Sequence, residues 1–304
     1  MTVTVNARDG NYLSTFSRGR YQGIAEEHFV EVGLDGRRAD VLIASGWIYP
    51  TDSSINVAIA QAGIAPRGLS LEARRPDGSW KVVNADLGFP AGKNKTLVVD
   101  LSGIAGADRV RLRTNLEIYW DAMQLGVRAD GPVRTTRIAA LSADLRYRGF
   151  SRTVSPRGTA PETPEYDRVA STSPRWRDLT GYHTRFGDVR ELVDRVDDRY
   201  VIMNAGDELR VRFPEAPAVA QGWRRDFVLI GDGWEKDGDY NTGFSQTVLP
   251  LPSHDRPDYG AGTTSLVLED DPVYQRHRQD WQRYHTRYVT PQRFLRGLKP
   301  ATVN

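Results

Sequence analysis

The 304-residue chain contains no cysteine. That excludes disulfides, thiolate zinc sites, iron–sulfur clusters and cysteine nucleophiles. Lysine is also scarce, with five residues against 36 arginines. Guanidinium groups fork to carboxylates and stack on rings, so many of these charges are expected in structural ion pairs. No apolar run approaches the roughly 20 residues a membrane helix needs. The opening MTVTVNARDGNYLS lacks a basic start followed by an apolar stretch, so no signal peptide is expected. Catalytic signatures are missing too. His28, His183, His254, His277 and His285 form no HExxH spacing, GFSRT and GFSQT lack the second glycine of a nucleophile elbow, and there is neither a P-loop nor GxGxxG. These gaps weigh against an enzyme. His183 with Asp188, and His254 with Asp255, are the pairs left for acid–base work, with a structural role as the plainer reading.

What is present suits a protein with a substantial core. The hydrophobic fraction is 39%, the charged fraction 26%, and 304 residues favour two domains over one. Most segments read as strands: HFVEVGL (28–34), ADVLIASGW (39–47), LSLEARR (69–75), TLVVDL (96–101) and RVRLRTNLEIYW (109–120), several alternating with period two. Asp35-Gly36, Pro76-Asp77-Gly78 and Pro90-Ala91-Gly92 supply turns between them. The expected fold class is all-β, built of antiparallel jelly-roll or β-sandwich units, with duplication open, and a short C-terminal helical extension. The expected organisation is an N-terminal segment (1–19), a galactose-binding-like jelly roll (20–130), a second β-rich unit (131–252) and an extended basic tail (253–304). In the second unit, 151–176 reads as a proline-rich connection, DVRELVDRV (188–196) as a short helix, and RYVIM, ELRVRF and RDFVLI as strands. In the tail a helix is expected near 272–288, capped by Asp271 with Pro272 in its first turn, its stripe formed by Val273, His277, Trp281, Tyr284 and Tyr288.

Charge is uneven. From Pro272 onward seven basic residues face one acid, a net +6, which leaves the rest of the chain at −4. The plain reading is a basic tail docking on an acidic body, of this chain or of a neighbour in a homo- or hetero-assembly. No nucleic-acid motif accompanies the charge, which argues against nucleic acid.

Two stretches echo one another: VLIASGWIYPTDSSIN from Val41 and VLIGDGWEKDGDYN from Val228. Duplication and recurrence of the same local physics, with glycine for a bend and tryptophan capping a core, are both open. The loops after the two Gly-Trp pairs hold the candidate binding residues. Trp47, Tyr49, Asp52 and Asn56 in the first, with Trp234 and Tyr240 in the second, combine aromatic faces and hydrogen-bonding groups suited to a glycan or a protein partner. Asp232, Asp237, Asp239 and Asn241 are closely spaced oxygen donors for Ca2+, or the carboxylates and amide of an Asx-rich turn. If those loop carboxylates were catalytic, a carbohydrate hydrolase would be the alternative.

The runs GRYQGIAEEHFVEV, ASGWIYPTDSSINVA, GFPAGKNKT, NLEIYWD, FGDVRELV, DDRYVIMNAGDEL, GWRRDFVLIGDGWEKDGDYNT and TVLPLPSHD together resemble the C-terminal region of large bacterial proteins. Those proteins carry FG-GAP/VCBS propeller repeats, often with an ASPIC/UnbV domain (the cartilage-acidic-protein-like group), or tetratricopeptide repeats. The resemblance covers nearly the whole chain and implies an extracytoplasmic or large-assembly protein with a binding or scaffolding role. The chain holds no propeller blade, so the calcium loops of such blades are not carried onto Asp237 or Asp239.

Overall fold

A computed structural model describes residues 7–14, 16–129, 131–154, 158–175, 177–236, 246–257, 259 and 267–291. The chain divides into two compact units, one of residues 1–133 with 153–164, the other of 134–152 with 165–304. Its secondary structure is mainly antiparallel β, with a few short helices, as the strand patterning leads one to expect.

The first unit contains β1 (Ile24–Gly33), β2 (Val41–Ile48), α1 (Ser53–Gln61), β3 (Leu69–Arg74), β4 (Trp80–Leu87), β5 (Lys95–Asp100), β6 (Arg109–Leu116) and β7 (Ile118–Gly126). Two antiparallel sheets form, in the orders β1-β6-β3-β4 and β5-β2-β7. Period-two alternation decides which side chains go inward. In β6, Val110, Leu112 and Leu116 are buried and join Leu69 and Leu71 of β3 and Leu42 of β2 in one core. Each fully buried aliphatic side chain of this kind contributes about 2 kcal/mol. The outward residues of the first sheet are charged and matched across strands: Glu72 lies opposite Arg111, and Arg113 reaches both Glu72 and Glu27. Arg111 also lies over the rings of Trp80 and Phe29. Arginine thus serves here in the forked and stacked roles its abundance suggests.

The run 109–120 is two strands rather than one. Glu117 is a corner between β6 and β7, so the chain moves from one sheet to the other there. The helix α1 was not legible as a helix. Its signal is local: Asp52 accepts the Ile55 N–H as N-cap, and Ile55 and Ile59 fall four apart on the inward face.

The second unit is less regular. It comprises β8 (Ser142–Tyr147), β9 (Phe150–Val154), β10 (Thr163–Ser171), β11 (Gly181–His183), β12 (Gly187–Asp188), β13 (Asp207–Arg212), α2 (Pro272–Arg276), α3 (Arg278–Tyr284) and β14 (Arg287–Val289). The sheets are β12-β8-β13, β11-β14 and β10-β9, and residues 153–164, from the end of β9 to the start of β10, group with the first unit. The proline-rich connection expected at 151–176 therefore contains a paired hairpin of β9 and β10, formed despite Pro161 and Pro164. The helix expected at 188–196 shrinks to a single 3-10 turn, Arg190–Leu192, since Val189 and Leu192 are both drawn into the core with Ala143, Leu145 and Tyr284. RYVIM forms no strand, although Tyr200 and Ile202 pack against a cluster of Val248, Leu249, Leu251, Val273 and Trp281.

Asp271 and Pro272 start a helix as expected, but it breaks at His277 and resumes as α3. Val273, Trp281 and Tyr284 of the stripe are buried, whereas Tyr288 is exposed. The described tail docks on acids of its own unit: Arg276 pairs with Asp198 and Asp255, Arg283 with Glu191, and Arg287 with Asp207.

The two Gly-Trp segments have different structures. Gly46 lies at a bulge between β2 and β7, where a Cβ would collide with the Tyr119 carbonyl oxygen, and Trp47 is buried. Gly233 meets open space, Trp234 is exposed, and 228–234 joins no strand. Four consecutive apolar residues fit a strand only where both sheet faces are covered, and among the described residues no strand pairs with Phe227–Ile230, Arg225 over the Phe227 ring being its one ring contact. Over the described residues, up to the Gly-Trp pairs, the two stretches therefore share local composition and not structure.

Candidate functional site

One end of the first unit opens into a cleft of about 320 Å³, within the size range of small-ligand sites. Its walls come from segments far apart in sequence: Ile48 to Thr51 at the end of β2, Asn56 on α1, Gly23 and Ile24 at the start of β1, Gly68 before β3, Leu116 at the end of β6, and Phe89, Ala91 and Gly92 after β4. The floor is apolar, with Ile24, Ile48 and Leu116 buried, while Phe89 and Asn56 are exposed at the rim.

Glu117 organises this end. Its carboxylate is buried and accepts the Gly23 N–H at 3.1 Å and the Tyr119 hydroxyl. Its own N–H donates to the Gly23 carbonyl, and its carbonyl accepts the Tyr49 N–H, each at 2.9 Å. Arg18 lies 3.3 Å from the same carboxylate and donates to the Tyr119 hydroxyl at 3.1 Å. Burial, then the bond to Glu117, pushes the Tyr119 phenol up to about 12, so it is a neutral donor at ordinary pH. Gly23 has a positive φ of 81°, and a Cβ on it would press on Thr51 and on the Tyr49 carbonyl. A side chain there is excluded both by conformation and by space.

Tyr49 and Asn56 thus line one cleft, as their loop position suggested. Trp47 does not: it stacks on Tyr119 with centroids 4.8 Å apart and planes at 14°, and its indole N–H donates to the Thr159 carbonyl at 3.0 Å. The Tyr49 ring packs at 5.5 Å from that of Trp47. Asp52 serves as the α1 cap. Gly23, Gly68, Phe89 and Leu116 escaped sequence reasoning, because nothing in their local pattern announces that the fold brings them together.

In the second unit the GDGWEK stretch (231–236) is anchored at three points. The His254 ring sits between two carboxylates, Nδ1 at 2.9 Å from Asp198 and Nε2 at 2.9 Å from Asp232. The Trp234 ring lies 4.7 Å from that of Tyr259, and Lys236 donates to the Leu249 carbonyl. Burial lowers the Lys236 amine to about 8. Asp198 also accepts from Ser253 and Arg276, whereas Asp255, the expected partner of His254, binds Arg276 instead. His183 is buried against the Gly181 carbonyl, and Asp188 accepts the Arg190 N–H, so they make no acid–base pair. Of the candidate calcium ligands only Asp232 is described; Asp237, Asp239 and Asn241, with Tyr240 of the binding set, lie outside the described residues. Among the described residues no group of three or more His, Asp or Glu side chains is arranged to hold a metal, and no helix is long and apolar enough to cross a membrane. A second hollow of about 330 Å³ is lined by Glu191, Asp194, Arg195, Asp197 and Arg199, the last held by Asp280 at 2.8 and 2.9 Å.

The His254 geometry has a pH consequence. Two carboxylates facing both ring nitrogens need two N–H donors, which only imidazolium supplies. Bonds to Asp198 and then Asp232 raise the His254 pKa above its ordinary 6.5. The anchor is therefore complete below pH 6.5 and weakens as pH rises through the raised value. NMR titration is expected to place His254 above 6.5, and Asp232→Asn to bring it down; an unshifted wild-type value would contradict the bridged geometry.

No protein-family model, curated protein or solved structure matches this chain.

Proposed function

We propose that the protein is a non-catalytic binding module whose first unit takes a small glycan in the cleft between Tyr49, Asn56, Gly68 and Phe89. The observation that carries this reading is the construction of the cleft: an apolar floor left open by glycines, an exposed aromatic ring, an amide side chain, and a buried carboxylate, Glu117, fixing the backbone around it. Sugars offer C–H faces to aromatic rings and hydroxyls to amides and backbone groups. The same proposal extends to the family resemblance, in which such a module would belong to a large bacterial assembly.

Glycan-array screening followed by calorimetry tests it. The wild type is expected to bind one class of saccharide, and Phe89→Ala to weaken binding about tenfold through loss of stacking. Gly68→Tyr fills the cleft from a position without a positive φ and is expected to abolish binding. Absence of any glycan ligand, or binding indifferent to both substitutions, would defeat the proposal.

A further inference from the structure

Phe227, Val228, Leu229 and Ile230 are 73%, 84%, 83% and 81% exposed, the longest consecutive run of exposed large apolar side chains among the described residues. From Arg224 to Lys236 no backbone group bonds to the backbone of another described residue. The residue types are strong strand formers. An apolar strand-forming segment whose N–H and C=O groups make no backbone bond among the described residues is a template for pairing with another strand.

The charges flanking the segment identify that strand. Arg224 and Arg225 precede it and Asp232 follows it. The ion pair between Arg224 and Asp226 is largely exposed and holds little. An antiparallel pair of identical strands about a two-fold axis keeps each side chain on its own face, so residues directly opposite must be an even number apart in sequence. A register centred on Leu229 sets Asp226 against Asp232 twice. A register centred on Val228 sets Phe227 against Leu229 and Arg224 against Asp232, twice each. We propose that Phe227–Ile230 is a self-association strand that pairs antiparallel with the same segment of a second copy, in the register centred on Val228. In this register Arg224 meets Asp232, whose carboxylate also accepts from His254, and Asp226 lies opposite Ile230 at the edge of the pairing. A two-stranded ribbon alone is marginal, so the dimer is reversible and depends on concentration. The inference is independent of the glycan reading, which concerns the other unit.

Analytical ultracentrifugation of the full chain tests it. The wild type is expected to show a monomer–dimer equilibrium and Val228→Arg, which sets two charges together on the axis, to be monomeric with an unchanged circular dichroism spectrum. Asp232→Arg and Arg224→Asp each place like charges opposite and are expected to weaken the dimer about tenfold. The double variant restores the complementarity. Because the chain has no cysteine of its own, single cysteines report the register: under oxidised glutathione, Val228→Cys is expected to give a disulfide-linked dimer and Leu229→Cys is not. A wild type monomeric at every concentration, a dimer that survives Val228→Arg, a double variant as weak as the singles, or preferential crosslinking at 229 would overturn the proposal.

Discussion

Glu117→Ala is expected to destabilise the first unit by about 3–4 kcal/mol, read as a lower urea midpoint for that unit. The carboxylate is 4% exposed and satisfies the Gly23 N–H and the Tyr119 hydroxyl, both buried. Alanine leaves each without an acceptor, at about 1–3 kcal/mol apiece. Arg18 adds little to that total, because its side chain is mostly exposed and water replaces its partner. Glu117→Gln keeps an amide oxygen for one donor and is expected to cost about 1 kcal/mol. Glycan binding should fall in the alanine variant even below its unfolding transition, since Gly23 and Tyr49 are both tied to residue 117. Equal effects of Gln and Ala would show that the carboxylate's hydrogen bonds are not what holds this end together.

Asp271→Ala is expected to cost the second unit about 3–5 kcal/mol. Asp271 is 2% exposed and its two oxygens do three things: they cap α2 through the Val273 N–H at 2.9 Å, accept the Leu251 N–H at 3.2 Å, and pair with Arg256 at 3.1 Å. The cap alone accounts for about 1 kcal/mol. Most of the remainder is the penalty of leaving the nearly buried guanidinium of Arg256 without its counter-charge. Asp271→Asn separates these contributions. Asparagine caps as well as aspartate through its one carbonyl oxygen, so it should retain the helix start while losing the charge pairing and the acceptor for the Leu251 N–H. Chemical denaturation of both variants checks the ordering: alanine below asparagine below wild type.

Legibility in the sequence followed periodicity. The strands β1, β3, β5 and β6 could be read because each turns alternate residues to a single core and that alternation survives in the sequence, whereas β2, which buries Ala44 to Ile48 in succession, was legible from its apolar, β-branched run. The segment Phe227–Ile230 has the same residue types but no alternation, and composition alone did not reveal that the described chain leaves it unpaired. The helix α1 was missed because nine residues give only two turns of pattern. At the candidate site, Tyr49 and Asn56 were accessible to reasoning because they follow a strand-ending Gly-Trp pair. Their partners at 23, 68, 89 and 116 were not, since convergence there is a property of sheet order. The same holds for His254, whose partners lie 22 and 56 residues away and whose sequence neighbour Asp255 was the natural but mistaken choice.

The path of the chain between the units limits how the protein can be taken apart. The first unit takes in residues 153–164, which are separated from the rest of it by 134–152. Thr159 in that returning piece receives the Trp47 indole N–H and donates its hydroxyl to the Tyr12 carbonyl. The chain therefore passes between units three times, and no single cut releases both whole. Truncation after Val133 strips the first unit of an acceptor beneath its central tryptophan, and starting at Arg134 leaves the second burdened with a piece of the first. Loss of either unit in evolution or by proteolysis is correspondingly not a clean excision.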